Sequence, residues 1–342
     1  MTRTLISLAA TLSLLLVFSQ SSQAQECDRA CLENFVDQYL DALVDNDPDA
    51  LSLTDDIRFT ENGQRLSLRD GLWQTMKSKG DYRIFVTDVP AQQIAFLGNI
   101  YEDHRDPLQG TPALISLRLR IEDNAISEIE QFVVRSAGAA ERISAMTPRT
   151  AFTTPLTDDQ RMSRQELLEI ANMYFVGMQK NDGLMDYPFA DDCDRLENGN
   201  QTTNAPTPAG EIRPAPSDAS VYSAQWSCME QFESGLIFFV NRIRDRRYVA
   251  VDEERGLVFS FVFFDHSGGE SRNGVTPDGR AVIAGPVQPW TWGIAELFKV
   301  YDGQLHEIEA ILERVPYGMN SGWSTWEQGM SDELQDVTFT DE

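Results

Sequence analysis

The polar and apolar positions of the chain follow two patterns, and each pattern occurs twice. Residues 31–44 and 167–178 carry apolar side chains at helical spacing, which predicts one amphipathic helix in each half. Later stretches alternate with a period of two, which predicts half-buried strands joined as an antiparallel sheet. In the first half we expect strands at residues 57–60, 82–89, 92–101, 113–122 and 126–135, and a short helix at 68–76.

The second half repeats this order but has longer connections. A short helix is expected at residues 228–233, and strands are expected at 237–243, 247–252, 257–266, 291–301 and 305–315. Residues 201–219 form an excursion rich in Pro, Thr and Ala, and residues 267–289 fill a connection that takes only 104–112 in the first half. Loops of this length inside a compact domain are usually functional or disordered.

Three sequence echoes indicate a duplicated unit. Residues 55–63 and 191–199 both read Asp-Asp, four residues, then Glu-Asn-Gly. Residues 101–104 are similar to 263–266, and 124–130 are similar to 303–309, in the same order along the chain. The expected organisation is a signal peptide (1–24), a first unit (27–135), a linker (136–162), a second unit (163–330) and an acidic tail (331–342).

The N-terminus has the features of a secretory signal peptide. A basic start precedes an apolar run over residues 5–18, and Ser22-Gln23-Ala24 forms a small-x-small cleavage site. The mature chain is therefore expected to begin near Gln25, in the periplasm or outside the cell. The run is short for a membrane span, so no membrane attachment is expected after cleavage. The net charge of −26 leaves no visible basic patch for nucleic acid or for an anionic membrane surface.

Four cysteines in an exported chain predict two disulfides. The repeat favours pairing within units, as Cys27–Cys31 and Cys193–Cys228. Zinc is the alternative, but the first pair lacks the usual ligand spacing and a second pair close by. Three scattered histidines form no metal motif either, and no nucleotide-binding or nucleophile-elbow motif occurs. We therefore expect no metal and no cofactor.

The order of elements resembles the SnoaL-like family, also called nuclear-transport-factor-like. The resemblance is carried by the opening helix at 167–178, the Glu-Asn-Gly turn at 197–199 and the hairpin at 302–308, together with their first-unit counterparts. It implies an α+β fold of two tandem cone-shaped barrels, each a curved antiparallel sheet wrapped around an N-terminal helix. It also implies a pocket inside the cone, and members include isomerases, dehydratases, lyases and proteins that only bind.

Glu296 is the leading candidate for chemistry. It stands on an otherwise apolar strand face where the first unit has Leu117, 179 positions earlier. A carboxyl group in such a place costs several kcal/mol unless it is paired or protonated. It is expected to serve as a pocket acid or base with a raised pKa. The alternative is a structural ion pair with Arg195 or Arg314.

His266 and Glu197 are further catalytic candidates. His266 ends a strand at the long insertion, and Asp265 beside it should point to the opposite face, so the two are not expected to form a dyad. The alternative for His266 is a capping or solvent-facing role, which His104 at the matching place would share. Glu197 follows strand residues that the resemblance directs toward the cone, although a turn role is the simpler explanation.

The aromatic residues complete the predicted site. Candidates for a substrate-binding wall are Trp292, Trp290, Tyr174 and Tyr317, with Trp292 favoured. The expected function is a cofactor-independent lyase, isomerase or hydratase that uses acid–base chemistry on a small, partly apolar organic molecule in the second unit. The alternatives are a non-catalytic small-molecule binding module and an interaction scaffold. A homodimer through the sheets is also possible.

Overall fold

A computed structural model of the chain describes residues 26–102 and 110–337. The expected signal peptide and His104 lie outside these residues. The first unit consists of α1 (Arg29–Asp45), β1 (Leu53–Glu61), β2 (Gln64–Arg65), β3 (Met76–Asp88), β4 (Gln93–Glu102), β5 (Thr111–Glu122) and β6 (Ala125–Val134). Its strands form one sheet in the order β2-β1-β6-β5-β4-β3.

The second unit repeats this arrangement with additions. Its main elements are α3 (Arg164–Lys180), β7 (Phe189–Glu197), β8 (Asn200–Gln201), α4 (Cys228–Glu233), β9 (Arg242–Asp252), β10 (Leu257–His266), β13 (Trp290–Tyr301) and β14 (Gln304–Val315). A small hairpin, β11 (Asn273–Val275) with β12 (Ala281–Ile283), lies in the long insertion. With β15 (Leu334–Asp336), the main strands form one sheet in the order β15-β9-β10-β13-β14-β7-β8.

The protein is thus an α+β fold of two repeated units, and one detail of the expected sheets is corrected. Both large sheets are mixed, because β1 pairs with β6 and β7 pairs with β14 in parallel. In each unit, the strand that leads into the Glu-Asn-Gly turn comes after the opening helix. It lies next to the last strand of the unit and runs in the same direction. The remaining pairs between the long strands within each unit are antiparallel.

The strand register shows that the units are equivalent residue by residue. In the first unit Glu61 and Leu117 both pair with Gln131 on β6. In the second unit Glu197 and Glu296 both pair with Ala310 on β14. Glu197 therefore occupies the place of Glu61, and Glu296 occupies the place of Leu117, as the sequence comparison predicted.

Local chemistry explains where the opening helices begin and end. The Ser163 side chain and Glu166 form a capping box at the start of α3, and Asp28 caps α1. Both helices end at an asparagine in the left-handed region, Asn46 (φ 51°) and Asn181 (φ 41°). The apolar face of α3 is buried against its own sheet, where each large side chain contributes roughly 1.5–3 kcal/mol.

Two predicted elements are wrong in type. Residues 68–76 form only a single 3-10 turn, Gly71–Gln74, before β3 begins. Residues 237–241 are not a strand, because Asn181 accepts a hydrogen bond from the Ile237 backbone and the chain turns there before β9. In both places a turn directs apolar side chains into the core. Their spacing along the sequence therefore resembles that of a helix or a strand.

The expected linker contributes to the core, and the described part of the expected tail joins the second sheet. Residues 136–162 contain α2 (Ala137–Ser144), which buries Ala139, Ala140 and Ile143. The C-terminal strap, residues 316–337, includes α5 (Trp326–Met330) and crosses to the first unit, where the Trp323 ring lies 4.1 Å from the Arg58 guanidinium. It then returns as β15, which pairs with β9. The expected acidic tail is therefore, up to residue 337, the edge of the second sheet.

The two sheets pack back to back and enclose a core that belongs to both units. This shared core includes Phe132 from the first sheet and Phe259, Phe261 and Phe263 from the second. The packed faces of the two sheets are therefore buried within one chain. The expected homodimer through the sheets is not tested by this single chain and stays a prediction.

Both disulfides form as predicted, Cys27–Cys31 and Cys193–Cys228. Two disulfides favour an oxidising compartment. In the described residues, no helix is long and apolar enough to cross a membrane. The same residues hold no cluster of three or more His, Cys, Asp or Glu side chains suited to a metal ion.

The two disulfides are expected to differ in their contribution to stability. Cys193–Cys228 closes a separation of 35 residues and Cys27–Cys31 closes one of 4. Loop entropy alone makes the longer link more stabilising by about 2 kcal/mol. Urea unfolding of two double Cys→Ala variants should show the larger loss for the 193/228 pair. An equal or larger loss for the 27/31 pair would contradict this.

Candidate functional site

Two insertions of the second unit join to form a cap over one end of its cone. The cap consists of residues 202–227 and 267–289. The Arg280 guanidinium donates to the backbone carbonyl of Pro216 at 3.0 Å and to that of Ala219, which ties the insertions together. A small apolar cluster of Trp226, Leu236 and Val282 packs beneath them. In the first unit only residues 66–70 link β2 to the following 3-10 turn.

A cavity lies between the cap and the inner face of the second sheet. The cavity has a volume of about 70 Å³, and the empty space within it, counted together with adjoining open solvent, is about 450 Å³. The lining residues are Met178, Arg195, Glu197, Tyr222, Ile237, Phe239, Val240, Phe264, His266, Trp292, Ile294 and Leu312. Three of the predicted site residues, Glu197, His266 and Trp292, therefore meet in one place.

Arg195 and Glu197 form the polar wall of the cavity. They are alternate residues of β7, so their side chains share a face. The Arg195 Nε lies 3.2 Å from a Glu197 carboxylate oxygen and also donates to the Thr202 hydroxyl at 3.0 Å. Arg195 donates further to the Tyr174 hydroxyl at 3.2 Å and to Gln231. The guanidinium is thus held rigidly, while Glu197 stays partly exposed to the cavity.

Glu296 lies behind this wall. It is 2% exposed and stands on the inner face of β13, between Ser260 and Ala310 in the register. Burial raises its pKa to about 8, the negative charge of Glu197 adds to the rise, and Arg195 and a hydrogen bond from Tyr174 oppose it. Glu296 is therefore mostly protonated at neutral pH. Its Oε2 atom is buried and has no hydrogen-bond partner among the described residues.

The ion-pair alternative for Glu296 is not what the geometry shows. Among the described residues no salt bridge reaches Glu296, and Arg195 pairs with Glu197 instead. Arg314 lies over the Trp290 ring at 5.0 Å. Glu296 is also absent from the cavity lining, so its predicted role as the group that touches substrate stays a prediction.

In the first unit, Glu61 occupies the position of Glu197, but hydrogen bonds within the protein occupy its carboxylate. The Tyr39 hydroxyl donates to Gln131 at 2.7 Å, and Gln131 donates to Glu61 at 2.9 Å. Glu61 also accepts from the Leu72 backbone at 2.7 Å and from Arg135 at 3.0 Å. Both Glu61 oxygens are therefore occupied. In the second unit Gln131 is replaced by Ala310 and Leu117 by Glu296, so the carboxyl of Glu197 lacks that amide partner.

His266 lines the cavity as a neutral ring. Its Nδ1 lies 3.1 Å from the Phe264 carbonyl, which can only accept, so this nitrogen carries the proton. Burial lowers the pKa of His266 to about 4. Asp265 points to the opposite face, as predicted, where it binds Arg242, Arg244 and the Thr291 hydroxyl. The capping or solvent-facing alternative does not describe His266, which is 2% exposed.

The predicted aromatic wall is only partly realised. Trp292 lines the cavity, whereas Trp290 stacks on His266 with ring centroids 4.1 Å apart and supports it from behind. Tyr174 is buried in the core and reaches the site through its hydroxyl. Tyr317 is 45% exposed, outside the lining, and its hydroxyl lies 3.2 Å from that of Ser267.

Sequence reasoning missed two wall residues and one role. Tyr222 comes from an irregular segment of the cap, and Phe239 comes from the turn that was predicted as a strand, yet both line the cavity. Arg195 was weighed only as an ion-pair partner. Its position two residues before Glu197 on a strand was the available signal. His306 lies elsewhere, with its Nδ1 2.7 Å from Asp192.

The fold and this cavity define a two-unit α+β protein with one capped pocket. The chain belongs to the family described as Domain of unknown function (DUF8021), which matches residues 25–133 and 160–312. The two matched segments correspond to the two units.

Two solved structures are distantly similar to the chain, and no curated protein matches it at a significant level. A de novo designed protein with a curved β-sheet is 15% identical, with 44% of this chain and 88% of that chain covered and a TM-score of 0.25. AclR, a "putative hydroxylase" from Streptomyces galilaeus, is 16% identical, with 44% and 91% covered and a TM-score of 0.27. Neither likeness bears on what this chain does.

Proposed function

We propose that the second unit is a SnoaL-like acid–base pocket of an exported protein. It would transfer protons during an elimination, isomerisation or hydration of a small, partly apolar organic molecule, without a cofactor. The observation that carries the proposal is the pair of carboxyl groups around Arg195. Glu197 faces the cavity, and Glu296 is buried behind it with a pKa near 8. A carboxyl group that faces a cavity, next to a buried carboxyl group whose pKa is raised, is typical of acid–base sites.

Each residue has a distinct role in this proposal. Glu197 is the group that takes a proton from the ligand, because it is the carboxylate in the lining. Arg195 holds it in place through their salt bridge. Glu296 is a positioning residue that keeps Tyr174 and Arg195 oriented while adding no second negative charge at neutral pH. His266 offers an unprotonated Nε2 for a hydrogen bond to the ligand, and Trp292 shapes the cavity.

A non-catalytic binding module is the second candidate. Two observations favour it. Glu296 does not touch the cavity, and a His266 whose pKa is about 4 is a weak base at neutral pH. The cavity and its lining would then serve to retain a ligand without changing it.

Turnover of a retained compound separates these functions. The purified mature protein is exposed to a metabolite extract, retained compounds are identified by mass spectrometry, and their conversion is followed over time. Glu197→Gln should lower turnover by about 100-fold or more, the usual scale for a general acid or base. The matched control is Glu61→Gln, which changes the equivalent residue of the first unit and should leave turnover unchanged. Retention without conversion would select the binding module.

The positioning role of Glu296 has its own readout. Glu296→Gln keeps the shape and the hydrogen bond with Tyr174 but cannot ionise. Activity of the parent should fall as pH rises past about 8, where Glu296 becomes charged, and this fall should be absent in the variant. A pH profile that is identical in parent and variant would remove Glu296 from the mechanism.

A further inference from the structure

The cavity has one wall made of stacked planar side chains. The His266 ring lies on Trp290, with an interplanar angle of 10°. Phe239 follows His266 at 6.0 Å, and Tyr222 follows Phe239 at 6.3 Å, both tilted by about 30°. Trp292 stands edge-on to Trp290 at 4.6 Å. A flat ligand laid against the lining members of this wall, His266, Phe239, Tyr222 and Trp292, would make aromatic contacts.

The charges of the lining cancel. Arg195 and Glu197 are the charged lining residues, they are joined by a salt bridge, and His266 is neutral. An anionic ligand would be repelled by Glu197, and a cationic ligand would be repelled by Arg195. Because a charged ligand would lose its hydration to enter a lining whose charges already neutralise each other, the cavity suits an uncharged molecule.

One charged acceptor remains available in the lining, beside the neutral Nε2 of His266. One carboxylate oxygen of Glu197 binds Arg195, and no hydrogen bond to the other occurs among the described residues. Most of the other lining side chains are apolar, including Met178, Ile237 and Leu312. A ligand that donates one hydrogen bond to Glu197 would satisfy this oxygen, and a ligand without a donor would leave it unpaired at a cost.

The size of the cavity limits the ligand to a single ring. The cavity volume, about 70 Å³, is smaller than the roughly 150 Å³ that encloses benzene in an engineered protein. Even a single ring would therefore extend partly out of the cavity, and a fused polycyclic molecule would extend further.

We infer that the second-unit cavity takes an uncharged, planar, single-ring compound bearing one hydroxyl or N–H donor directed at Glu197. The inference rests on the proposed function for the location of the site and adds the chemical class of its ligand. Phenol is the simplest compound of this class.

Binding of five probes to the mature full chain tests the inference. Phenol has every required feature, toluene lacks the donor, cyclohexanol lacks the planar ring, benzoate is anionic and benzylamine is cationic. Dissociation constants are measured by titration calorimetry or by ligand-observed NMR. Phenol should bind about tenfold more tightly than each of the others, the scale of one hydrogen bond or one ring contact.

A change in the relative affinity for benzoate and phenol on substitution of Glu197 is the more specific test. Glu197→Gln removes the negative charge and leaves Arg195 uncompensated, so benzoate should gain about tenfold relative to phenol. Glu61→Gln, the equivalent change in the first unit, should leave the ratio of the two dissociation constants unchanged. Trp292→Ala should weaken phenol binding and serves to place the probe in the cavity.

The proposed ligand class is wrong if any other probe binds the parent more tightly than phenol, or if no probe binds. It is also wrong if Glu197→Gln does not change the ratio of the benzoate and phenol dissociation constants. These outcomes are distinct from failure of the proposed function, which the turnover of a retained compound decides without any assumption about ligand class.

Discussion

Replacing Glu296 by Gln is expected to remove a loss of stability that the parent shows as pH rises from 6.5 to 8. The folded chain holds the Glu296 proton until about pH 8, whereas the unfolded chain releases it near 4.5. Between these values the folded state binds more protons, so the free energy of unfolding falls as pH rises. The slope approaches 1.4 kcal/mol per pH unit, which amounts to about 2 kcal/mol over this window.

The titration of His266 is the reason that the test starts at pH 6.5. Its pKa is about 4 in the folded state and 6.5 in the unfolded state. Between those values the unfolded state binds more protons, so stability rises with pH. This contribution opposes that of Glu296 from 4.5 to 6.5 and disappears above 6.5. Lys299, whose pKa burial lowers to about 8, acts only above the window.

Urea unfolding at several pH values measures the effect. Between pH 6.5 and pH 8 the stability difference between Glu296→Gln and the parent should grow by about 2 kcal/mol in favour of the variant. The control is Glu211→Gln, which removes one negative charge from an exposed position of the cap. Its profile should parallel that of the parent. A Glu296→Gln variant that is less stable than the parent at pH 8 would mean that Glu296 is ionised and paired in the folded state.

The duplication made the inner face of the second cone predictable from the sequence. Strands alternate strictly, so the equivalence of Leu117 and Glu296 was enough to place a carboxyl group among apolar neighbours. The same logic placed Asp265 on the opposite face from His266. Both results need only the two-residue period and a register, which the repeated motifs supplied.

The cap could not be predicted, because its contacts join segments that have no periodicity of their own. Arg280 binds backbone carbonyls more than 60 positions away, and Tyr222 reaches the mouth only because the two insertions are tied together. Irregular backbone held by side chain–carbonyl contacts leaves no pattern in the sequence. The volume and the opening of the cavity could not be predicted from the sequence for the same reason.

The difference between Glu61 and Glu197 shows a second limit. Both stand in the same motif and pair with the same position of the last strand. Their environments diverge because that position is Gln131 in one unit and Ala310 in the other. A residue 70 or more positions away thus decides whether the carboxyl group is closed off or available. Nothing within the motif itself distinguishes the two.

The largest loss of stability is expected at the junction of the two units, from Arg247→Met. The Arg247 guanidinium binds both oxygens of Glu130 in the first unit, at 2.9 and 2.5 Å, and both side chains are less than 8% exposed. Removing Arg247 leaves the buried Glu130 carboxylate, among the residues that the structure describes, with the longer contact to Arg118 at 3.4 Å as its remaining ion pair. Breaking a buried pair in this way costs about 3–5 kcal/mol.

A double-variant cycle shows whether the pair itself is responsible. Arg247→Met combined with Glu130→Leu removes both charges and should recover part of the loss, because Glu130 is no longer left without its partner. The recovery is incomplete because buried Asp245, 3.5 Å from the Arg247 Nε, still loses its contact. The matched control is the exposed pair Arg69–Asp49, whose nitrogen and oxygen lie 2.8 Å apart with side chains 47% and 85% exposed. Arg69→Met should cost less than about 1 kcal/mol. If the double variant is as unstable as Arg247→Met alone, the loss comes from packing of the guanidinium between the sheets and not from its charge.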